Sequence, residues 1–198
     1  MTEFWEEAFR KKKEMWGDHP AVSAVKAAEL FYNNGCKNIL IPGIGYGRNA
    51  RPFIDRGMNV TGIEISKTAI ELAEQRFKSS LRIHHGSVSD MPYDDTSYDG
   101  IYCHAVIHLL DQPERLKLAS DCYNQLNKDG LMVFTVITKQ AQTYGQGILI
   151  SKDRYEQFGG VQMFFYDEES INNDFSKSGL IETKEVTENF PFFMIVCR

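Results

Sequence analysis

Apolar and polar positions along this chain switch between two periods. In AVSAVKAAELFYNN (21–34) the small and apolar residues recur at helical spacing, and Gly35 ends the pattern. KNILI (37–41) is a short unbroken apolar run, the mark of a buried strand. A glycine-bearing loop follows, then a helix to about Arg56 stopped by Gly57. Pro52 requires that helix to begin near Asn49, because proline is tolerated only in a first turn.

The alternation continues with MNVTGIEI (58–65) as a strand. Ser66 reads as an N-cap for a helix over 67–80. LRIHH (81–85) and YDGIYC (98–103) predict the third and fourth strands. A helix over 113–127, the turn KDG and a fifth strand, LMVFTVIT (131–138), complete the run. Strands alternating with helices predict an α/β fold with a parallel sheet covered on both faces. After a helix over 167–178 the pattern changes. GLIETKEVT (179–187) and NFPFFMIVC (189–197) stand too close together for a parallel crossover, so they predict an antiparallel hairpin at one side of the sheet.

Composition narrows the function classes. The 198 residues carry a net charge of −5, which argues against a nucleic-acid partner, since neutralising phosphates takes clustered Lys and Arg. The one basic run, RKKK at 10–13, reads as the solvated face of an amphipathic helix. Phe4, Trp5, Ala8, Phe9, Lys12, Met15 and Trp16 form the other face, with the Lys12 stem along the aromatics. Apolar runs are too short to span a bilayer, so no membrane partner is expected. Cys36, Cys103, Cys122 and Cys197 show no metal or CxxC spacing. The expectation is a cytoplasmic protein with reduced thiols and no metal.

Candidate chemistry begins in ILIPGIGYGRNA (39–50), where Gly43, Gly45 and Gly47 alternate between a strand and a helix. Arg48 stands where a dinucleotide loop has its last glycine. Taken alone the loop is equally a tight turn without a ligand. Its position after the first strand is where open parallel sheets bind ligands. Glu64, at the end of the second strand, can accept hydrogen bonds from both hydroxyls of a ribose, or serve as a solvent-facing carboxylate.

A third element, HHGSVSDMPYDDTSYDGIYC (84–103), completes an ordered set. Glycine loop, acidic strand end, G-S-x-x-x-M-P-Y and Y-D before a strand together resemble the class I S-adenosylmethionine-dependent methyltransferases, over residues from about 36 to 138. The resemblance implies a Rossmann-like, doubly wound sheet of seven strands, mostly parallel with an antiparallel C-terminal hairpin strand. It implies S-adenosylmethionine as cofactor and S-adenosylhomocysteine as product. Gly43, Gly45 and Gly47 then pass the methionine and ribose, Glu64 binds the ribose, and Ile65 lies against the adenine. Ser87 and Val88 flank the adenine edge, and Cys103 lies beside the methionine, through its backbone.

Two departures stand out. Ile41-Pro42 replaces the family's frequent acidic residue and leucine, and Ser87 replaces its usual Asp. IPG is similar to the thiopurine, thiol and halide branch, and GRNA with VTGIEIS resembles the tellurite-resistance type. Both imply a small-molecule methyl acceptor. A non-catalytic cofactor-binding module and an NAD-dependent oxidoreductase stand as alternatives.

Side chains placed to act follow the fourth and fifth strands. In CHAVIHLLD (103–111), His104 and His108 face one way if the segment is helical. His104 is a candidate base or substrate contact, and His108 a weaker one. Tyr144, in the polar loop TKQAQTYGQG (138–147), is a candidate wall or donor. Residues 1–35 are expected to form a helical leader, with Trp16 and His19 as lid candidates over a domain at 36–198.

Overall fold

The computed structural model describes residues 2–198, apart from the side chains of Thr2 and Ser79. Helix α1 (Thr2–Lys12) and α2 (Val22–Asn33) precede β1 (Asn38–Pro42). A single helical turn, α3 (Arg51–Ile54), leads to β2 (Asn59–Glu64), α4 (Lys67–Phe77) and β3 (Leu81–His85). Then come β4 (Tyr98–His104), α5 (Gln112–Asn124) and β5 (Leu126–Ile137). Three short strands follow: β6 (Ile148–Ser151), β7 (Arg154–Gln157) and β8 (Val161–Phe164). Helix α6 (Glu168–Phe175) and the hairpin β9 (Leu180–Thr187) and β10 (Pro191–Cys197) complete the fold.

The main sheet has seven strands in the order β3-β2-β1-β4-β5-β10-β9. β1 to β5 pair in parallel, and β10 runs antiparallel between β5 and β9. The Rossmann-like, mostly parallel sheet with a reversed C-terminal strand is the one expected. Ile39, Ile41, Tyr102 and Val133 feed one core, while Leu40, Ile101, Cys103 and Phe134 feed the other, on the period of two that a strand imposes. β1 connects outward to β2 and β3, and the chain then returns to place β4 on its other side. A crevice opens at that reversal, beyond the carboxyl ends of β1 and β4.

Caps set several boundaries. Ser66 Oγ accepts from Ala69 N, as read from sequence. Asp111 with Glu114 and Asp167 with Ser170 form reciprocal capping boxes on α5 and α6.

Four sequence expectations change. The helix from Asn49 to Arg56 is one turn, because the preceding segment is spent on turns at Gly43, Gly45 and Gly47, all with positive φ. Helix 113–127 stops at Asn124 and β5 begins at Leu126, since Leu126 already pairs with Tyr98 across a register shift. The stretch 103–111 is not a helix. β4 runs through His104, Ala105 turns with φ +56, and only Ile107–Leu109 coils, as one 3-10 turn.

The fourth change is an addition: β6, β7 and β8 form a separate antiparallel sheet. Its four-residue strands show no alternation, and ILIS in β6 is exposed throughout. The signal that marks it is the pair of turns at Asp153 and at Phe158–Gly160, all with positive φ.

Candidate active site

The crevice holds a cavity of about 310 Å³, within the usual range for ligand pockets. Gly43, Gly45, Glu64, Ile65, Ser87 and Val88 line one half. His104, His108, Ile137, Met163, Glu188 and Phe192 line the other. Gly47, Cys103 and Tyr144 are not in its wall.

Gly45 shows why the loop needs glycine. Its φ is +58, and a Cβ there would face the cavity with only Phe9 nearby, at 3.7 Å. Gly47 serves packing instead, since a Cβ would press on Phe77 at 2.7 Å. The loop amides are largely consumed within the protein. Gly43 N and Ile44 N donate to Ile63 O (2.8 and 3.1 Å), and Gly47 N donates to Ile44 O (3.1 Å). Gly45 N donates to Glu64 Oε2 at 2.8 Å. A pyrophosphate cradle needs free amides at a helix N-terminus. This loop leads only to the four residues of α3.

Glu64 is 5% exposed. Its Oε1 accepts from Ile65 N and Ser66 N, both at 2.9 Å. Burial raises its pKa, and the three backbone donors work against that rise. A carboxylate has about four lone-pair sites, so one remains for a ligand donor. A diol binding there shares or displaces a backbone amide. Ser87 caps a turn, with Oγ accepting from Ser89 N at 3.2 Å, and the Val88 N–H has no partner within that turn. An acidic strand end, an apolar Ile65 and Val88, and a polar turn fit a nucleoside with ribose hydroxyls.

The leader closes the cavity on one side. Trp5, Phe9 and Trp16 line it, and Trp16 stacks on Tyr46 with centroids 6.2 Å apart. The glycine loop grips this leader through polar bonds. Trp16 N donates to Tyr46 Oη (3.1 Å), Tyr46 Oη donates to Gly17 O (2.8 Å), and Asn49 Oδ1 accepts from Ala21 N (2.9 Å). Arg48 donates to the carbonyls of Trp16 and His19. His19 itself is exposed and outside the cavity wall, and Lys12 is exposed rather than laid along the aromatics. Met1, part of the expected leader, lies outside the described residues.

His104 and His108 do meet, by a route other than a helix face. The turn at Ala105 brings both rings against Phe192, at 5.8 and 6.1 Å. Burial lowers both pKa values to about 3, helped by Arg48 for His104 and by His104 for His108. Both rings are therefore neutral at pH 7. Thr135 Oγ accepts from Ala105 N (3.1 Å) and lies 2.8 Å from His104 Nδ1. The Ser23 hydroxyl is 3.3 Å from the same nitrogen, and its proton goes to Glu188 Oε1 at 2.6 Å. Nδ1 is thus held between two hydroxyls, while Nε2 has no hydrogen-bond partner among the described residues.

The remaining sequence candidates lie elsewhere. The Cys103 side chain is buried in the second core, where burial pushes its thiol up to about 12. Tyr144 donates to Asp153 Oδ1 at 2.6 Å and packs on Tyr155 and Phe165, supporting the small sheet. Sequence reading missed Ser23, Thr135, Glu188 and Phe192. Each is unremarkable in its own segment, and only the fold brings them to His104.

An open sheet whose glycine loop bonds inward beside a buried acidic strand end defines a nucleoside-binding α/β protein. The methyltransferase domain family matches residues 40–134. A ubiquinone biosynthesis O-methyltransferase of Rickettsia typhi is 26% identical over 132 residues, covering 65% of this chain and 52% of that protein. The chain spans about half the length of the curated relatives it matches first. The structure of Burkholderia thailandensis 1,6-didemethyltoxoflavin-N1-methyltransferase, with 1,6-didemethyltoxoflavin and S-adenosylhomocysteine bound, superposes with a TM-score of 0.76. Identity is 16%, over 100% of this chain and 86% of that one. The CcbJ methyltransferase of Streptomyces caelestis gives 0.76 at 16% identity, over 98% and 97%. At such identities the superpositions speak for the fold alone. In sequence the chain is similar to S-adenosylmethionine-dependent methyltransferases, a probable one of Mycolicibacterium smegmatis among them, at 29% identity over 112 residues, 56% of this chain and 41% of that protein.

Proposed function

We propose that the protein transfers a methyl group from S-adenosylmethionine to a small-molecule acceptor held in the enclosed half of the cavity. The observation that carries the reading is the division of one cavity into two unlike walls. One wall is the glycine loop, Glu64 and the Ser87–Val88 turn. The other is mostly apolar, with His104, His108, Glu188 and Asn189 as polar members and Arg48 and Asn49 at the leader side.

The cofactor supplies a methyl group on positively charged sulfur. In this reading Gly43 and Gly45 let the backbone approach it, Glu64 holds the ribose, and Ile65, Ser87 and Val88 hold the adenine. Gly47 shapes the loop from beneath. His104 contacts the acceptor through Nε2 of a neutral ring, while His108 supports the wall. The protein's contribution is alignment and exclusion of water. The leader at residues 1–35, with Trp16 over the cavity, acts as the lid on a catalytic domain at 36–198.

A cavity of about 310 Å³ and a net charge of −5 support a small molecule rather than a nucleic acid as acceptor. Among the described residues no helix is long and apolar enough to cross a membrane. The four free, buried thiols support a cytoplasmic location.

Calorimetric titration with S-adenosylmethionine, S-adenosylhomocysteine and NADH tests the reading. Binding of both adenosyl ligands with NADH silent is expected. Silence from both adenosyl ligands would sink it.

A further inference from the structure

We infer that Glu188 selects the methyl acceptor, and that this acceptor is an apolar molecule presenting a hydroxyl or amine hydrogen to Glu188 Oε2. The inference rests on the methyltransferase reading and extends it to the chemistry of the acceptor.

Glu188 lies in the turn between β9 and β10, and its side chain is 10% exposed. Its Oε1 accepts from Ser23 N at 3.1 Å and from Ser23 Oγ at 2.6 Å. Ser23 stands in the first turn of α2, where backbone N–H groups lack helical partners and favour negative charge. Tyr102 Oη, 2.9 Å from Ser23 Oγ, donates to the same hydroxyl from behind, which commits the Ser23 proton to Glu188. One oxygen of the carboxylate is thus fixed.

The other oxygen has no such partner. Among the described residues nothing donates to Oε2, and the nearest ring nitrogen, His104 Nε2, is 3.9 Å away. Ile137, Val161, Met163, Phe190 and Phe192 line the same cavity. A carboxylate oxygen with open lone pairs among such groups strongly favours an occupant that donates a hydrogen bond. An anionic occupant at Oε2 meets like charge, even with Arg48 elsewhere in the lining, and one without a donor leaves the oxygen unpaired. The neutral His104 ring, on the adjacent wall, suits a group that accepts as well as donates. A hydroxyl or an amine does both.

This also supplies a proton acceptor. When the acceptor's oxygen or nitrogen forms its bond to the methyl carbon, the carbon–sulfur bond breaks and its electrons stay on sulfur. The acceptor's proton then passes to Glu188 Oε2. Nucleophiles that begin protonated need such a group.

The test uses the full chain saturated with S-adenosylhomocysteine and four matched probes: 2-naphthol, 2-naphthylamine, 2-methoxynaphthalene and 2-naphthoate. Calorimetry is expected to show the naphthol and the amine binding roughly ten- to a hundredfold more tightly than the other two. Glu188→Gln keeps an oxygen for Ser23 and should abolish most of that preference. Glu188→Asp should restore part of it. Equal binding of the methoxy or carboxylate probe, a preference that survives Glu188→Gln, or no binding of any probe would overturn the inference. Titrating the cofactor product first separates the two claims. Failure to bind S-adenosylhomocysteine defeats the methyltransferase reading, whereas product binding without donor preference defeats only the role of Glu188. If Glu188→Gln instead removes a preference for S-adenosylmethionine over its product, the carboxylate faces the sulfonium and the acceptor role falls.

Discussion

The two halves of the cavity, proposed above to hold cofactor and acceptor, are built by different rules. The cofactor half comes from consecutive strand ends and their loops, and its key bonds are to backbone. Glu64 reaches Gly45, Ile65 and Ser66, two of them its immediate neighbours along the chain. The acceptor half comes from segments far apart in sequence, and its bonds join side chains. Ser23 meets Glu188 across 165 positions and Tyr102 across 79. A half made of local backbone geometry resists change everywhere except at its one carboxylate. A half made of long-range side-chain bonds should be sensitive at each of them, and to pH.

The largest expected effect is acid sensitivity of the acceptor half. His104 and His108 are held neutral down to about 3, while the unfolded chain takes up their protons near 6.5. The stability they contribute is full above about pH 6.5 and is lost as pH falls towards 3. The slope is about 1.4 kcal/mol per pH unit for each histidine. Denaturant titrations between pH 7 and 4 measure it, and His108→Gln should remove about half. A slope unaltered by that substitution would mean His108 is not the titrating group.

Next comes Glu64→Ala, aimed at the other half. It removes three backbone bonds as well as the ribose partner, and should weaken S-adenosylhomocysteine binding by about 1–3 kcal/mol. It should lower Tm too, because Gly45 N–H loses its partner. Unchanged affinity would take Glu64 out of the site.

Trp16→Ala sharpens the contrast between binding and closure. Trp16 is 41% exposed, so the fold should survive with little loss. Ligand release, followed by stopped-flow displacement, should quicken as the cavity opens, and an unchanged release rate would make the leader a packing element. The smallest effect on ligand affinity is expected from Ser23→Ala, which leaves the buried Tyr102 hydroxyl unpaired and should cost about 1–3 kcal/mol of stability. If the two halves are independent, its product affinity matches that of the unaltered protein, whereas a coupled loss would break the comparison.

The same division explains what could be read from the chain. The seven-stranded sheet, its reversed hairpin and the Ser66 cap follow from periodicity and spacing, which are local. Gly43, Gly45 and Glu64 could be placed at one cavity wall because a strand-end loop writes its geometry into nearby residues. Glu188 carries no mark in VTENFPF, and Ser23 looks like any polar residue of an amphipathic helix. His104 and His108 were paired for a wrong reason, since their meeting depends on the left-handed turn at Ala105 and not on helical spacing. The small sheet escaped because strands of four residues give periodicity too little length to register.

The strand order carries one more consequence, for the way the molecule assembles. β5 is bordered on one side by β10, the seventh of the sheet's strands in chain order, and β9 reaches the sheet only through it. Until residues 191–197 arrive, a growing chain presents the apolar edge of Leu131–Ile137 unpaired, an invitation to intermolecular pairing. Chains cut before Pro191 should therefore clump rather than linger as a smaller folded core, and docking of the hairpin should be the late, slow event of folding.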